Sequence, residues 1–284
     1  MSDNMAPTQS PRQPLLSGNL RSRIISGAIL AGLAYAIAWT GPGAFALLIL
    51  AIAVVLSWEW GRMVRGVSTD LAFYVHAACL AVAIALTVFG YAALSLAVIV
   101  TGSIILVPLV FGSGAVLSAL GMFYVGLPAV ALLWLRMSEP YGFAAILFLF
   151  AVVWSSDIAA YASGRLIGGP KLWPRVSPNK TWAGLMGALA AGSAAGAIAA
   201  ALVAAPLLRL VLIGLALSFV AQAGDLAESA LKRVFGRKDA SDLIPGHGGF
   251  MDRMDSIVAA AVAAALLALA LDPRTPARAL LFGV

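Results

Sequence analysis

Charge is scarce in this sequence. Only 11% of its residues are Asp, Glu, Lys or Arg and 62% are hydrophobic, whereas roughly a quarter of a soluble domain is charged. A water-soluble globule is excluded on that ground. The single cysteine, Cys79, excludes an intramolecular disulfide and a cysteine-based zinc site, and inside an apolar run it reads as a small packing residue. The sequence contains neither a Gly-x-x-x-x-Gly-Lys-Ser/Thr loop nor a Gly-x-Gly-x-x-Gly fingerprint. Any nucleotide is therefore held by neither of those soluble folds. Of the two histidines, His76 opens an apolar run and reads as packing or interfacial, which leaves His247. The net charge of +6 comes without a basic-aromatic surface module, so no nucleic-acid partner is expected.

Apolar runs are what the chain has in abundance. They are long enough to cross a hydrocarbon core of about 30 Å as helices. The expected fold class is all-α, a polytopic membrane helical bundle with about nine transmembrane helices: Ile24–Thr40, Ala44–Trp58, Leu71–Phe89, Ala92–Phe111, Ala115–Leu135, Phe143–Ile158, Trp182–Ala205, Leu207–Ala223 and Ile257–Leu271. The second, sixth and ninth are short and need extension or local bilayer thinning. With the N-terminus inside, only Arg136, Arg209, Arg274 and Arg278 of 18 lysines and arginines fall on the outer face. That bias places both long polar segments in the cytosol. The expected organisation is a disordered cytosolic tail over 1–22, N-terminal transmembrane helices over 23–142, and a catalytic transmembrane region over 143–284 with cytosolic loops 159–181 and 224–256. Gly187, Gly192 and Gly196 in one alanine-rich span let helix backbones approach closely and predict a place inside the bundle; a generally alanine-rich composition is the alternative.

Two polar segments interrupt the apolar background. In the later one, Asp225, Glu228, Ser229 and Lys232 recur at helical spacing and share a face if the eighth span continues into the interface. Asp252, Arg253 and Asp255 open the ninth span, where a carboxylate also suits a helix N-terminus as a simple cap. Between them His247 lies among Gly246, Gly248 and Gly249, whose small size permits close approach of a ligand. His247 is placed to donate to a phosphate or move a proton, with a structural loop histidine as the alternative. Carboxylates brought together beside cations suit a divalent metal bridging polyphosphate oxygens. A solvated interfacial loop is the plain alternative. In the earlier segment Asp157 falls near the inner end of a span, where an ionisable group is costly, or pairs with Arg165. Lys171, Arg175 and Lys180 offer cations, and Ser177 and Thr181 offer hydroxyls, to a phosphate; Trp173 and Trp182 read as interfacial anchors.

The run Ser229-x2-Lys232-Arg233-x4-Lys238-Asp239-x-Ser241-x2-Ile244-Pro245-x-His247-Gly248-Gly249-x2-Asp252-Arg253-x-Asp255 resembles, without a gap, the signature of the phosphatidate cytidylyltransferases (CDP-diacylglycerol synthases). Gly224-Asp225-x2-Glu228, Asp157-x3-Tyr161-x2-Gly164 and Ser177-Pro178-x-Lys180-Thr181 look like further elements of that family. The motif resemblance covers Asp157 to Ser256. One departure is Ala183, where the family often has Glu. The resemblance implies transfer of CMP from CTP to phosphatidic acid, with Mg2+ as cofactor. It implies metal ligands at Asp225, Asp252, Asp255 and Asp157, and catalytic roles for Lys232, Asp239, His247 and Arg253. Substrate-binding roles fall to Ser177, Lys180, Ser229, Arg233, Lys238, Gly248 and Gly249. Expected partners are CTP, phosphatidic acid and membrane lipid; a homodimer is left open. The expected location is a bacterial inner membrane, with the site facing the cytosol. The rivals are a CTP-dependent lipid-alcohol kinase, which releases CDP, and an anion transporter. The latter places its polar groups at the bilayer midplane rather than at one face.

Overall fold

The computed structural model describes residues 32, 35–110, 114–241, 243 and 248–283. Its helices are α1 (Pro42–Val64), α2 (Leu71–Val88), α3 (Ala92–Leu109), α4 (Ala115–Arg136), α5 (Gly142–Leu166), α6 (Trp182–Val203), α7 (Leu207–Val234), α8 (Met251–Leu271) and the short α9 (Pro276–Phe282). The first eight are long and apolar enough to span a bilayer. They correspond to eight of the expected spans, and the protein is a polytopic helical membrane protein. The remaining span, Ile24–Thr40, lies largely outside the described residues, apart from helical backbone at 32 and 35–40; the tail before it lies wholly outside them.

The three short spans reach full length through polar residues. α1 ends at Val64, α5 runs on to Leu166, and α8 starts at Met251. α7 likewise continues to Val234. A helix satisfies its own backbone hydrogen bonds, so it carries charged side chains out of the apolar layer without breaking. Much of what reads as polar loop in the sequence is thus the end of a helix. Between α5 and α6 the chain forms an antiparallel hairpin, β1 (Lys171–Trp173) and β2 (Ser177–Thr181), with Lys171 opposite Thr181 and Trp173 opposite Ser177. Its end is fixed by Thr181, whose hydroxyl accepts from Gly184 N at 3.0 Å and caps α6.

α4 is the central helix, packed on α1, α2, α3, α5 and α8. At the end of α1, Arg65 grips Asp70 with two bonds of 2.8 Å, and Asp70 also caps α2 through Phe73 N. The glycine-bearing α6 is buried on one side only. A Cβ on Gly196 would lie 2.1 Å from Leu210 O of α7, and one on Gly187 would lie 2.1 Å from Ser163 Oγ of α5. Its opposite side exposes Met186, Ile198 and Leu202. The small residues do allow the expected close backbone approach, but α6 sits at the rim of the bundle rather than inside it.

Candidate active site

The chemistry gathers at one end of the bundle. It draws on the last turns of α1, α5 and α7, the first turns of α8, the first half of α4 and strand β2. α7 supplies a stripe in which Gln222, Asp225, Glu228, Ser229 and Lys232 follow the three- and four-residue steps of a helix. Each position of that stripe meets a different partner.

The deeper part of the site is built around Lys232, which is buried. Its ammonium donates to Glu228 Oε1 at 3.2 Å and to Asp252 Oδ1 in a short contact. Glu228, also buried, accepts on its other oxygen from Tyr124 OH at 2.6 Å. Tyr124 comes from α4 and stacks on Trp60 of α1, with ring centroids 4.9 Å apart. Asp252 Oδ2 takes the backbone N–H groups of Ala240 (2.9 Å) and Gly249 (2.7 Å). A buried ammonium between two carboxylates is held because each charge keeps a partner.

The shallower part is centred on Asp225. Its carboxylate pairs with Lys180 of β2 at 2.7 Å and accepts a longer bond from Ser229 Oγ at 3.4 Å. Lys180 also reaches Gln222 O at 3.4 Å. Gln222 Nε2 in turn donates to Asp157 Oδ1 at 2.8 Å, and Ser256 Oγ donates to the same oxygen at 3.2 Å. Asp255 lies between the two parts, within electrostatic reach of Asp225, Glu228 and Asp157. α7 and α8 come this close because Gly224 has no side chain: a Cβ there would sit 2.4 Å from Ala259 Cβ and 3.1 Å from Asp255 O.

Other candidates from the sequence lie around this network. Arg233 is exposed and ties α7 to the hairpin turn through Val176 O at 3.4 Å. Lys238 and Asp239 are exposed, and a Cβ on Gly248 would lie 3.3 Å from Asp239 Oδ1 and 3.0 Å from Asp252 Oδ2. Gly248 has a φ of +79°, which favours glycine. Arg253 is exposed on the first turn of α8. Ser177 stands at the start of β2, away from the Lys180–Asp225 pair at its other end. His247 lies outside the described residues, as do Ile244 and Pro245. Ala183, the departure from the family pattern, follows Trp182 in the first turn of α6.

Gln222, Ser256, Tyr124 and Glu59 take part without being candidates from the sequence. Glu59 of α1 is fully buried and accepts from Ser241 Oγ, Phe250 N (2.8 Å) and Met251 N (2.5 Å). Its one signal in the sequence is an acid placed directly after the expected span Ala44–Trp58. Tyr124 gives no comparable signal among aromatic neighbours.

For a cation the donors on offer are carboxylate oxygens, the hard ligands magnesium prefers. Among the described residues no three of them already form a metal cage. Magnesium commonly takes one or two carboxylates together with substrate phosphates, so Asp225, Asp255 and Asp157 fit an ion that arrives with a polyphosphate. Asp252 is already engaged by Lys232 and two amides.

Residues 21–271 match the model of the Cytidylyltransferase family. A phosphatidate cytidylyltransferase of Brucella suis is 44% identical over 245 residues, covering 86% of this chain and 91% of the relative. One of Pseudomonas aeruginosa is 41% identical over 270 residues, covering 87% and 97%. One of Bacillus subtilis is 40% identical over a shorter stretch of 141 residues. A match of this extent, on a bundle whose paired lysines and carboxylates meet at one end, makes the chain a member of the cytidylyltransferase family.

Proposed function

We propose that the protein transfers CMP from CTP to phosphatidic acid, forming CDP-diacylglycerol and pyrophosphate. The observation that supports this most directly is the convergence of two lysine–carboxylate groups, Lys180–Asp225 and Glu228–Lys232–Asp252, on one face of α7 in a chain of this family. The reaction forms a bond from a phosphatidate oxygen to the α-phosphorus of CTP and breaks the bond from that phosphorus to the bridging oxygen. The electron pair leaves with pyrophosphate. Phosphatidate is already an anion, so the attack needs no serine–histidine apparatus. It needs alignment and neutralisation of charge on the departing group.

Lys180, on a hairpin strand, and Lys232, buried between α7 and α8, supply fixed positive charge for the phosphates. Gly248 and Gly249 let the backbone of the signature loop come close to the substrate. A magnesium ion held by Asp225 and Asp255, with Asp157 beside them, would neutralise phosphate oxygens as it does in other phosphoryl-transfer sites. Ser229, one turn from Asp225, adds a hydroxyl. The basic residues cluster at the same end of the bundle, which supports a cytosolic site in a bacterial inner membrane. A homodimer is compatible with the exposed apolar helix faces and is read out by the same purified material.

The test is a mixed-micelle assay with phosphatidic acid, magnesium and CTP labelled at the α-phosphate. Label in the lipid together with released pyrophosphate is expected. Release of CDP with γ-phosphate in the lipid would replace this reading with a lipid kinase.

A further inference from the structure

The loop that carries the signature is closed at its neck by two carboxylates, and only one of them belongs to the signature. Asp252 takes Ala240 N from one strand of the neck and Gly249 N from the other. Glu59 does the same from 180 or more positions away: its carboxylate accepts from Ser241 Oγ on one side and from Phe250 N and Met251 N on the other. Phe250 and Met251 begin α8, which has no side-chain cap from its own sequence. Their N–H groups would otherwise be unsatisfied in a buried place. A negative group at the positive end of a helix is also electrostatically favourable. The fit around Glu59 is tight, since a Cβ on Gly249 would lie 2.6 Å from its Oε1.

We infer that Glu59 is a positioning residue for the transfer reaction, a cap supplied by α1 that holds the neck of the signature loop and the start of α8 in register. It acts through Gly249 and Asp252, and through Asp252 on Lys232; it does not touch substrate. The inference rests on the cytidylyltransferase reading for its kinetic consequence, but not for its structural one.

Two full-length variants test it. Glu59→Gln keeps the shape but presents an amide to donors, and Ser241→Ala removes the loop-side donor without altering α1. In both, hydrogen exchange at Phe250 and Met251 is expected to rise while exchange in α2 and α3 stays at the wild-type level. In both, kcat/KM for CTP is expected to fall by about 10- to 100-fold, the loss typical of hydrogen bonds to a charged group. If Glu59→Gln does not insert, Ser241→Ala alone decides. Wild-type kinetics in folded Ser241→Ala, or unchanged exchange at the α8 start in both variants, overturns the inference. Exchange that rises as expected in a protein with no CMP transfer even as wild type would uphold the cap and instead refute the assigned reaction.

Discussion

Asp225 and Asp252 each meet a lysine, yet their surroundings separate what the charges do. Asp252 and Lys232 are both about 9% exposed, and both oxygens of Asp252 are in use. Neutralising Asp252 leaves Lys232 with Glu228 alone and weakens the acceptor for the Ala240 and Gly249 amides, at a cost of about 1–3 kcal/mol. Asp225 and Lys180 stand in partial contact with water, at 27% and 18% exposure, where a pair contributes about 1 kcal/mol or less. Asp252→Asn is therefore expected to lower both thermal stability in detergent and turnover. Asp225→Asn should keep its thermal midpoint near that of the wild type and lose turnover by about 100-fold or more, as when a group that stabilises transition-state charge is lost. Paired thermal and kinetic measurements decide this; a turnover defect in Asp225→Asn no larger than its stability defect would remove it from the site. The α7 stripe and the Asp252–Asp255 pair were legible in the sequence because helical spacing alone groups them. Glu59 and Tyr124 were not, because their partners lie more than a hundred positions away, and only packing of α1 and α4 against α7 and α8 brings them in.

At the scale of elements, the rim helix α6 matters for a site it does not enter. Its N-terminus is joined through Thr181 to the strand that delivers Lys180 to Asp225. Its middle is locked to α7 at Gly196, where any side chain meets Leu210 O, and at Ser218, whose hydroxyl donates to Ala188 O at 2.9 Å. Gly196→Val should push the two helices apart and destabilise the protein by about 1–3 kcal/mol or more. Because Gly196 lies roughly 20 Å along the helix from its N-terminus, a rise in KM for CTP would show that the contact sets the position of Lys180. Met186→Ala, on the exposed side of α6, is the control and should change stability by no more than about 0.5 kcal/mol. The hairpin itself was hidden in the sequence. Pro170, Pro174 and Pro178 read as loop, and strands this short carry no alternating pattern.

For the whole molecule, the expected division into an N-terminal bundle over 23–142 and a catalytic region over 143–284 meets a site that draws on both parts. α1 brings Glu59 and Trp60, and α4 brings Tyr124, to groups on α7, α8 and the signature loop. A fragment of 143–284 expressed alone is expected to show no CMP transfer, and co-expression with 1–142 to restore it. The break falls after the first residue of α5, Gly142. Activity in the isolated fragment would show that the first part only anchors the enzyme. The eight spans themselves were readable from composition, since apolar length is the strongest signal a membrane chain carries.

The lysine–carboxylate pairs give substrate entry the character of an exchange. Lys180 and Lys232 already have counter-ions, so a triphosphate can claim them only by displacing Asp225 or loosening Glu228 and Asp252. A bare polyanion would leave those acids facing one another without compensation. One that arrived with its own divalent ion would offer the acids a cation as it took the lysines. Inorganic anions and uncomplexed nucleotides are expected to compete poorly there, because the five carboxylates of the site outnumber its two lysines.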